Sequence, residues 1–276
     1  MSYTCFDVSI ENKIAHLVMK RPEKRNSMIR EFWSELPEIV RKIDDEASAR
    51  VIVISSTGPH FTAGIDLMML ANEFNDDGSS ETRMQKPARF LQLVSELQNT
   101  FTALEQCRIP VIAAIQGGCI GGGVDLATAC DLRYSTDDAY FTIQEINIGM
   151  TADVGTFPRI VKLMPEGVVR ELAYTGRKLT ASEAHQYGLV NQVFEEHEQM
   201  LAGVMEIAAE IASKAPNAIM GSKKIITYSR DHSTADTLDY IGTWNMAMLH
   251  PEEIMESMLA KQQKRAPKFT DLPGRK

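Results

Sequence analysis

Cysteine is scarce in this chain of 276 residues. The four present, Cys5, Cys107, Cys119 and Cys130, form no C-x-x-C pair and have no histidines at metal-ligand spacing. That argues against a zinc site and against a disulfide framework. Long apolar runs are also missing: none approaches the ~20 residues needed to cross a bilayer. Positive charge is not in excess. Lys and Arg number 29 against 37 Asp and Glu, a formal net charge of −8, so the composition lacks the basic face of a duplex nucleic-acid reader. A few well-placed cations would still serve an anionic small molecule. Three catalytic signatures are absent too: the G-x-S-x-G nucleophile elbow, the G-x-x-x-x-G-K-[ST] phosphate loop, and G-x-G-x-x-G at the first strand. The opening MSYTCFDVSI has neither the apolar core of a secretory signal nor the Arg-rich pattern of a transit peptide, and the closing PGRK is not an S-K-L address. The expectation is a soluble, intracellular protein with reduced thiols.

Hydrophobic residues make up 44% of the chain and charged residues 24%, the balance of a globular protein of one or two domains. FDVSI and IAHLVM read as paired strands around a polar turn at 11–13. Apolar residues at helical spacing predict a helix over 29–43, and RVIVIS then reads as a short buried strand. The loop TGPHFTAG leads to a helical IDLMMLANEF, and NDDGSSET is the most polar stretch, read as a loop. A long helix over 87–106 precedes a second buried strand, PVIAAI, and a second glycine-rich loop. The two strand–loop–helix units resemble each other and predict an α/β architecture of repeated β-β-α units. From about residue 198 the strand signal stops and four helices follow. The expected organisation is therefore a spiral core over 1–200 and a helical region over 201–276.

The two loops are chemically suggestive. Gly121-Gly122-Gly123 stands after a strand and before a helix start, where backbone N–H groups are free and no side chain blocks a ligand. Ala63-Gly64-Ile65-Asp66 is a second such strand end. Two amides converging from two loops make an oxyanion hole, each donor contributing on the order of 3–4 kcal/mol in the transition state. Such a pair suits a carbonyl that becomes negative, as in an enolisable thioester.

At these residues the chain resembles the crotonase, or enoyl-CoA hydratase/isomerase, superfamily over nearly its whole length. The segments that carry the resemblance are RPEKRNSM, FTAGIDLMML, PVIAAIQGGCIGGGVDLATACDLRY, FTIQEINIGMTADVGT and ASEAHQYGLVNQVF. It implies a crotonase-type spiral of β-β-α repeats, a C-terminal helical region that forms a homotrimer and pairs the trimers, and an acyl-CoA substrate. It further implies that the N–H groups of Ile65 and Gly122 polarise the thioester carbonyl. Ala63, Gly64, Asp66, Leu67 and Met68, with the RPEKRN loop, would surround the coenzyme A moiety. The mitochondrial matrix or the peroxisome is the compartment implied by analogy. No metal and no cofactor beyond coenzyme A of the substrate is expected.

Three acids choose among reactions on this scaffold, which hosts several chemistries. Asp125 and Glu145 stand where hydratases of the family carry two glutamates, and Asp153 stands where they carry a small residue. The triple, with YSRDHS and WNMAML, resembles the delta(3,5)-delta(2,4)-dienoyl-CoA isomerases. That implies Glu145 and Asp153 as proton carriers at the two ends of a diene, with Asp125 holding or tuning the pair. Taken singly, Asp125 is an ordinary acid in a first helical turn, Asp153 a cap for a helix beginning near Val154, and Glu145 a surface acid. The alternatives are a delta(3)-delta(2)-enoyl-CoA isomerase or hydratase built on Glu145, and a non-catalytic binding protein of the same fold.

Overall fold

The computed structural model describes residues 3–74 and 85–275; the polar stretch at 75–82 lies outside the described residues. The chain opens with β1 (Phe6–Glu11) and β2 (Ile14–Met19), paired antiparallel. Asn12 and Lys13 between them both take positive φ, 49° and 65°, the twist that a two-residue hairpin turn requires. α1 (Arg30–Glu46) follows, then β3 (Val51–Ser56), α2 (Leu67–Phe74) and α3 (Gln85–Gln106). β4 (Val111–Ile115), β5 (Gly118–Ile120) and α4 (Gly122–Ala129) form the next unit. After it come β6 (Leu132–Thr136), β7 (Tyr140–Thr142), a 3-10 turn (Gln144–Ile148), α5 (Thr156–Ile160) and α6 (Glu166–Thr175). β8 (Leu179–Thr180), α7 (Ala181–Gln186) and β9 (Gln192–Phe194) close the strand-bearing part. The rest is helical: α8 (His197–Ala212), α9 (Pro216–Ser229), α10 (Thr234–Met248) and α11 (Pro251–Gln262).

Two sheets result. The larger has the order β1-β2-β3-β4-β6-β9, parallel from β2 onward; the smaller has the order β5-β7-β8. β3 and β4 are buried at every residue, as expected of parallel strands covered on both faces, and this explains their continuous apolar runs. Two turns, β4-β5-α4 and β6-β7 before α5, take one strand in the large sheet and a short one in the small sheet before a helix, the β-β-α repeat read from sequence, while β3 is followed only by an isolated bridge at Thr62 before α2. Thr62 forms an isolated parallel bridge with Cys119, which lays the FTAG segment beside β5 and brings the two glycine loops together.

Both faces of the large sheet are covered. Inside, Phe32 and Trp33 of α1 pack edge-on against Phe101 of α3 with ring centroids 6.4 and 5.4 Å apart. Outside, α8 lays Met200, Val204, Ala208 and Ala212, spaced four apart, on Val51, Val53, Ile112 and Ala114. The sheet ends at Phe194 and α8 begins at His197, close to the expected change near residue 200. α9 is tied down by the buried Lys223, whose ammonium donates to the carbonyls of Leu104 and Ile109 and pairs with Asp131 at 2.8 Å. A buried cation so fully partnered is structural.

Candidate active site

Loop 57–64 is held in place by the RPEKRN segment. Asn26 is 3% exposed; its amide donates to the carbonyls of Thr57 and His60, and its oxygen accepts from the Arg21 N–H. Thr62 donates to the Asn26 carbonyl at 2.7 Å and accepts from the Gly64 N–H. The strand-like pairing of Met28 with Ile65 uses Gly64 O and Asp66 N, and leaves the Ile65 N–H pointing away from it. Gly64 has φ +82°, and a methyl there would stand 2.5 Å from the Ile120 carbonyl and 3.2 Å from the Gly122 nitrogen. Only glycine allows the two loops to approach this closely. Gly122 opens α4, where a first-turn N–H has no intrahelical acceptor. Among the described residues neither the Ile65 nor the Gly122 N–H has an acceptor, so two donors converge from two loops as the sequence suggested.

These donors sit at a cavity of about 290 Å³ whose wall is mostly apolar. Trp33, Met69, Leu93, Val94, Leu97 and Ile148 supply much of that wall, and Asp125, Gln144, Glu145 and Asp153 supply its polar spots. The structure therefore brings together Asp125, Glu145, Asp153, Ile65 and Gly122, with Ala63, Gly64 and Leu67 at the same wall. Asp66 and Met68 are not on it. Asp66 is engaged locally, accepting from the N–H groups of Met68 and Met69 and from Ser27 Oγ, and Met68 is 71% exposed. Of the run at 67–70, Leu67 and Met69 line the cavity. His60 is structural, its Nδ1 accepting the Gly118 N–H. Cys119 is buried and its thiol is held well above the ordinary range by desolvation, so it is no nucleophile.

The three acids have different surroundings. Asp125, 1% exposed, accepts the Thr156 N–H at 2.6 Å with Oδ1, while its Oδ2 is buried without a partner. Thr156 is the first residue of α5, and its N-cap Gly155 has no side chain to cap with. The helix expected near Val154 thus begins two residues later, and Asp125 satisfies its free amide where Asp153 was the expected cap. Burial, then the charge of Glu145, pushes the Asp125 carboxyl up to about 7, against the opposing pull of the Thr156 N–H and Arg159. Glu145 rides on the 3-10 turn after β7, half-buried, with Oε2 lacking a partner. A methyl at Gly121 would stand 3.1 Å from its Oε1. Desolvation raises its carboxyl and the charge of Asp153 adds to this, while backbone amides of Glu145 and Gln144 pull it down. Asp153 is raised by burial as well. The acids form an electrostatic chain, Asp125 to Glu145 to Asp153, along one cavity, with all three carboxyls held above the ordinary carboxylate range.

The linkage has a testable sign. Asp125 holds its proton to about pH 7 when folded but loses it near pH 4 when unfolded, so across that interval the native state binds more protons and stability falls as pH rises. Asp125→Asn keeps an oxygen for the Thr156 N–H and has nothing to titrate. Its unfolding free energy, read by urea titration at several pH values, is expected to gain on wild type between pH 4 and 7 by on the order of 1.4 kcal/mol per pH unit. A gap that stays flat across this range would contradict the buried, raised carboxyl.

Sequence reasoning missed Trp33, the Leu93, Val94 and Leu97 face of α3, and Ile148 as cavity wall. Their apolar spacing was visible, but not which side of each helix meets the core and which the cavity. Among the described residues no group of His, Cys, Asp or Glu is placed to hold a metal ion, and no helix is long and apolar enough to cross a membrane.

The chain is similar to known proteins over nearly its whole length. A family model described as enoyl-CoA hydratase/isomerase matches residues 9–272. The mitochondrial delta(3,5)-delta(2,4)-dienoyl-CoA isomerase of Mus musculus is 47% identical over 259 residues, 93% of this chain and 79% of that protein. The peroxisomal protein of the same name from Arabidopsis thaliana is 39% identical over 262 residues, 95% and 94% of the two chains. Among solved structures, an enoyl-CoA hydratase from Bacillus anthracis superposes with a TM-score of 0.87 at 28% identity, covering 96% of this chain and 99% of that one.

Proposed function

The chain belongs to the enoyl-CoA hydratase/isomerase family, and on that footing we propose that it isomerises 3,5-dienoyl-CoA to 2,4-dienoyl-CoA in the breakdown of unsaturated fatty acids. The observation that carries this reading is the third carboxyl: Asp153 lines the same apolar cavity as Glu145 and raises the Glu145 carboxyl through its charge. Simple hydration needs no acid there. The identity to relatives named for this isomerisation supports the same choice.

The chemistry moves one proton off C2 and one onto C6. Those carbons are four bonds apart, so one carboxylate cannot easily serve both. Glu145, ionised, takes the C2 proton; the electron pair delocalises through C4 to C6 and onto the thioester oxygen, where the Ile65 and Gly122 N–H groups stabilise it. Asp153, in its protonated form, donates to C6. Glu145 is then neutral and Asp153 ionised, and a net return of one proton from Glu145 to Asp153, directly or through solvent, restores the site. Asp125 holds the start of α5 and, through its own charge state, biases Glu145. The apolar wall suits an acyl chain and disfavours water addition to the alkene. No cofactor beyond coenzyme A of the substrate is needed.

The region 1–200 carries this site, and 201–276 is proposed as a self-association surface. α10 has no buried residue, and Leu238, Met246, Met255 and Met258 are 63, 83, 65 and 63% exposed, apolar side chains that a second copy could bury. A homotrimer, paired into a hexamer, would cover it; light scattering that reads the mass of one chain contradicts this. The names of the relatives place them in mitochondria or peroxisomes, and one of these compartments is proposed here. The activity is tested by adding a 3,5-dienoyl-CoA to the purified protein and following absorbance of the conjugated 2,4-dienoyl thioester. If it fails to form while a 2-enoyl- or 3-enoyl-CoA is turned over, the enzyme is a simple hydratase or isomerase working through Glu145.

A further inference from the structure

Asp153 is aimed from behind. No side chain bonds its carboxyl among the described residues, so the position of that acid follows its backbone. The backbone is gripped by one face of α3. Gln98 Nε2 donates to the Asp153 carbonyl at 2.6 Å. One turn on, Thr102 Oγ1 accepts from Arg159 Nη2 at 3.2 Å, and Glu105 Oε2 accepts from Arg159 Nε at 2.8 Å. The Thr102 hydroxyl donates to the Gln98 carbonyl at 2.9 Å, linking the two grips. Gln98, Thr102 and Glu105 stand at i, i+4 and i+7, a single stripe of the helix, and they meet the segment 153–159 at both ends.

The segment is shaped for this grip. Gly155 takes φ +130°, and a methyl there would stand 1.9 Å from Arg159 Nη1, so the turn closes around the guanidinium. Glu105 is fixed in turn, its Oε1 accepting from Arg230 of the segment after α9 at 2.9 Å. Behind Asp153 lies a second, polar cavity bounded by Gln98, Thr102, Glu105 and Arg159, which shares Asp153 and Val154 with the apolar cavity in front. Asp153 is therefore part of a thin wall with open space on both sides, and packing alone does not fix it.

We propose that Gln98 is a positioning residue, which together with the Thr102–Arg159–Glu105 contacts sets the Asp153 carboxyl at the C6 end of the substrate. This rests on the role given to Asp153 above. The same helix turns Leu93, Val94 and Leu97 toward the apolar cavity, so α3 carries the acyl-chain wall on one face and the grip on the acid on another.

Gln98→Met keeps the length of the side chain and removes the donor; because Gln98 is exposed, the fold should lose little stability. Three quantities are read on 3,5-dienoyl-CoA: kcat, KM, and deuterium entering C2 of recovered substrate in heavy water, which reports the Glu145 step alone. The expected result is a kcat lowered about 10- to 100-fold, the effect of a displacement near 1 Å, with KM and C2 exchange close to wild type. Thr102→Val should give a smaller loss with the same pattern. Wild-type kcat in Gln98→Met, beside an inactive Asp153→Asn, would overturn the positioning role and leave the isomerase reading intact. Equal losses in kcat and C2 exchange would also overturn it, since Gln98 would then support the site as a whole. A wild-type protein inert toward the diene would remove both.

Discussion

Glu145→Gln is expected to lower kcat on a 3,5-dienoyl-CoA by about 10²- to 10⁴-fold, the range for losing a general base, with KM for the thioester changed by no more than about threefold. The amide has the shape of the carboxyl and fills the same place on the 3-10 turn (Gln144–Ile148), but it cannot take a proton. The Ile65 and Gly122 N–H groups remain, so binding survives while the step from C2 does not. Deuterium exchange at C2 in heavy water should vanish together with turnover, because both need the same base. A second readout follows from the electrostatic chain. The charge of Glu145 is, after burial, the next cause holding Asp125 up at about 7, so removing it must lower the Asp125 midpoint; this is observable by carboxyl carbon NMR. Retained C2 exchange in the variant would assign the base elsewhere.

Much of the fold was legible because it is built from local signals. β3 and β4 announced themselves as short apolar, β-branched runs, the pattern of strands buried on both faces. The hairpin at Asn12 and Lys13, the long helix ending at Gln106, and the switch to helices after Phe194 were readable for the same reason. The two glycine loops were readable as places where a backbone comes close to something, and the structure brings them to one cavity.

What was not legible involves partners distant in sequence. Asp125 looked like a residue of its own helix, yet its Oδ1 serves the N–H of Thr156, 31 residues on. Asp153 looked like a cap for the helix that follows, and Asp125 took that task because Gly155 offers no side-chain acceptor. Asp153 was thereby left with its carboxyl on the cavity wall. The apolar periodicity of α3 was plain, but nothing in it assigned Leu93, Val94 and Leu97 to the cavity and Phe101 and Leu104 to the core. Asp66 shows the opposite case: the family resemblance implied a contact with coenzyme A, whereas its place at a helix start fits a local helix-end role, and it accepts from the N–H groups of Met68 and Met69.

The role of the third carboxyl decides between the isomerase and its simpler relatives, and Asp153→Asn isolates it. Asparagine keeps the backbone carbonyl that Gln98 holds and preserves the size of the side chain, so only the transferable proton is lost. Without it, the dienolate formed by Glu145 can be reprotonated at C2 but has no acid at C6. The measurement is the variant and the wild type side by side on 3,5-dienoyl-CoA in heavy water, following absorbance of the 2,4-dienoyl thioester and deuterium at C2 of recovered substrate. Conjugated product is expected to form at least about 10²-fold slower in Asp153→Asn, with C2 exchange retained. Conjugated product forming at the wild-type rate in Asp153→Asn would contradict the two-carboxylate mechanism.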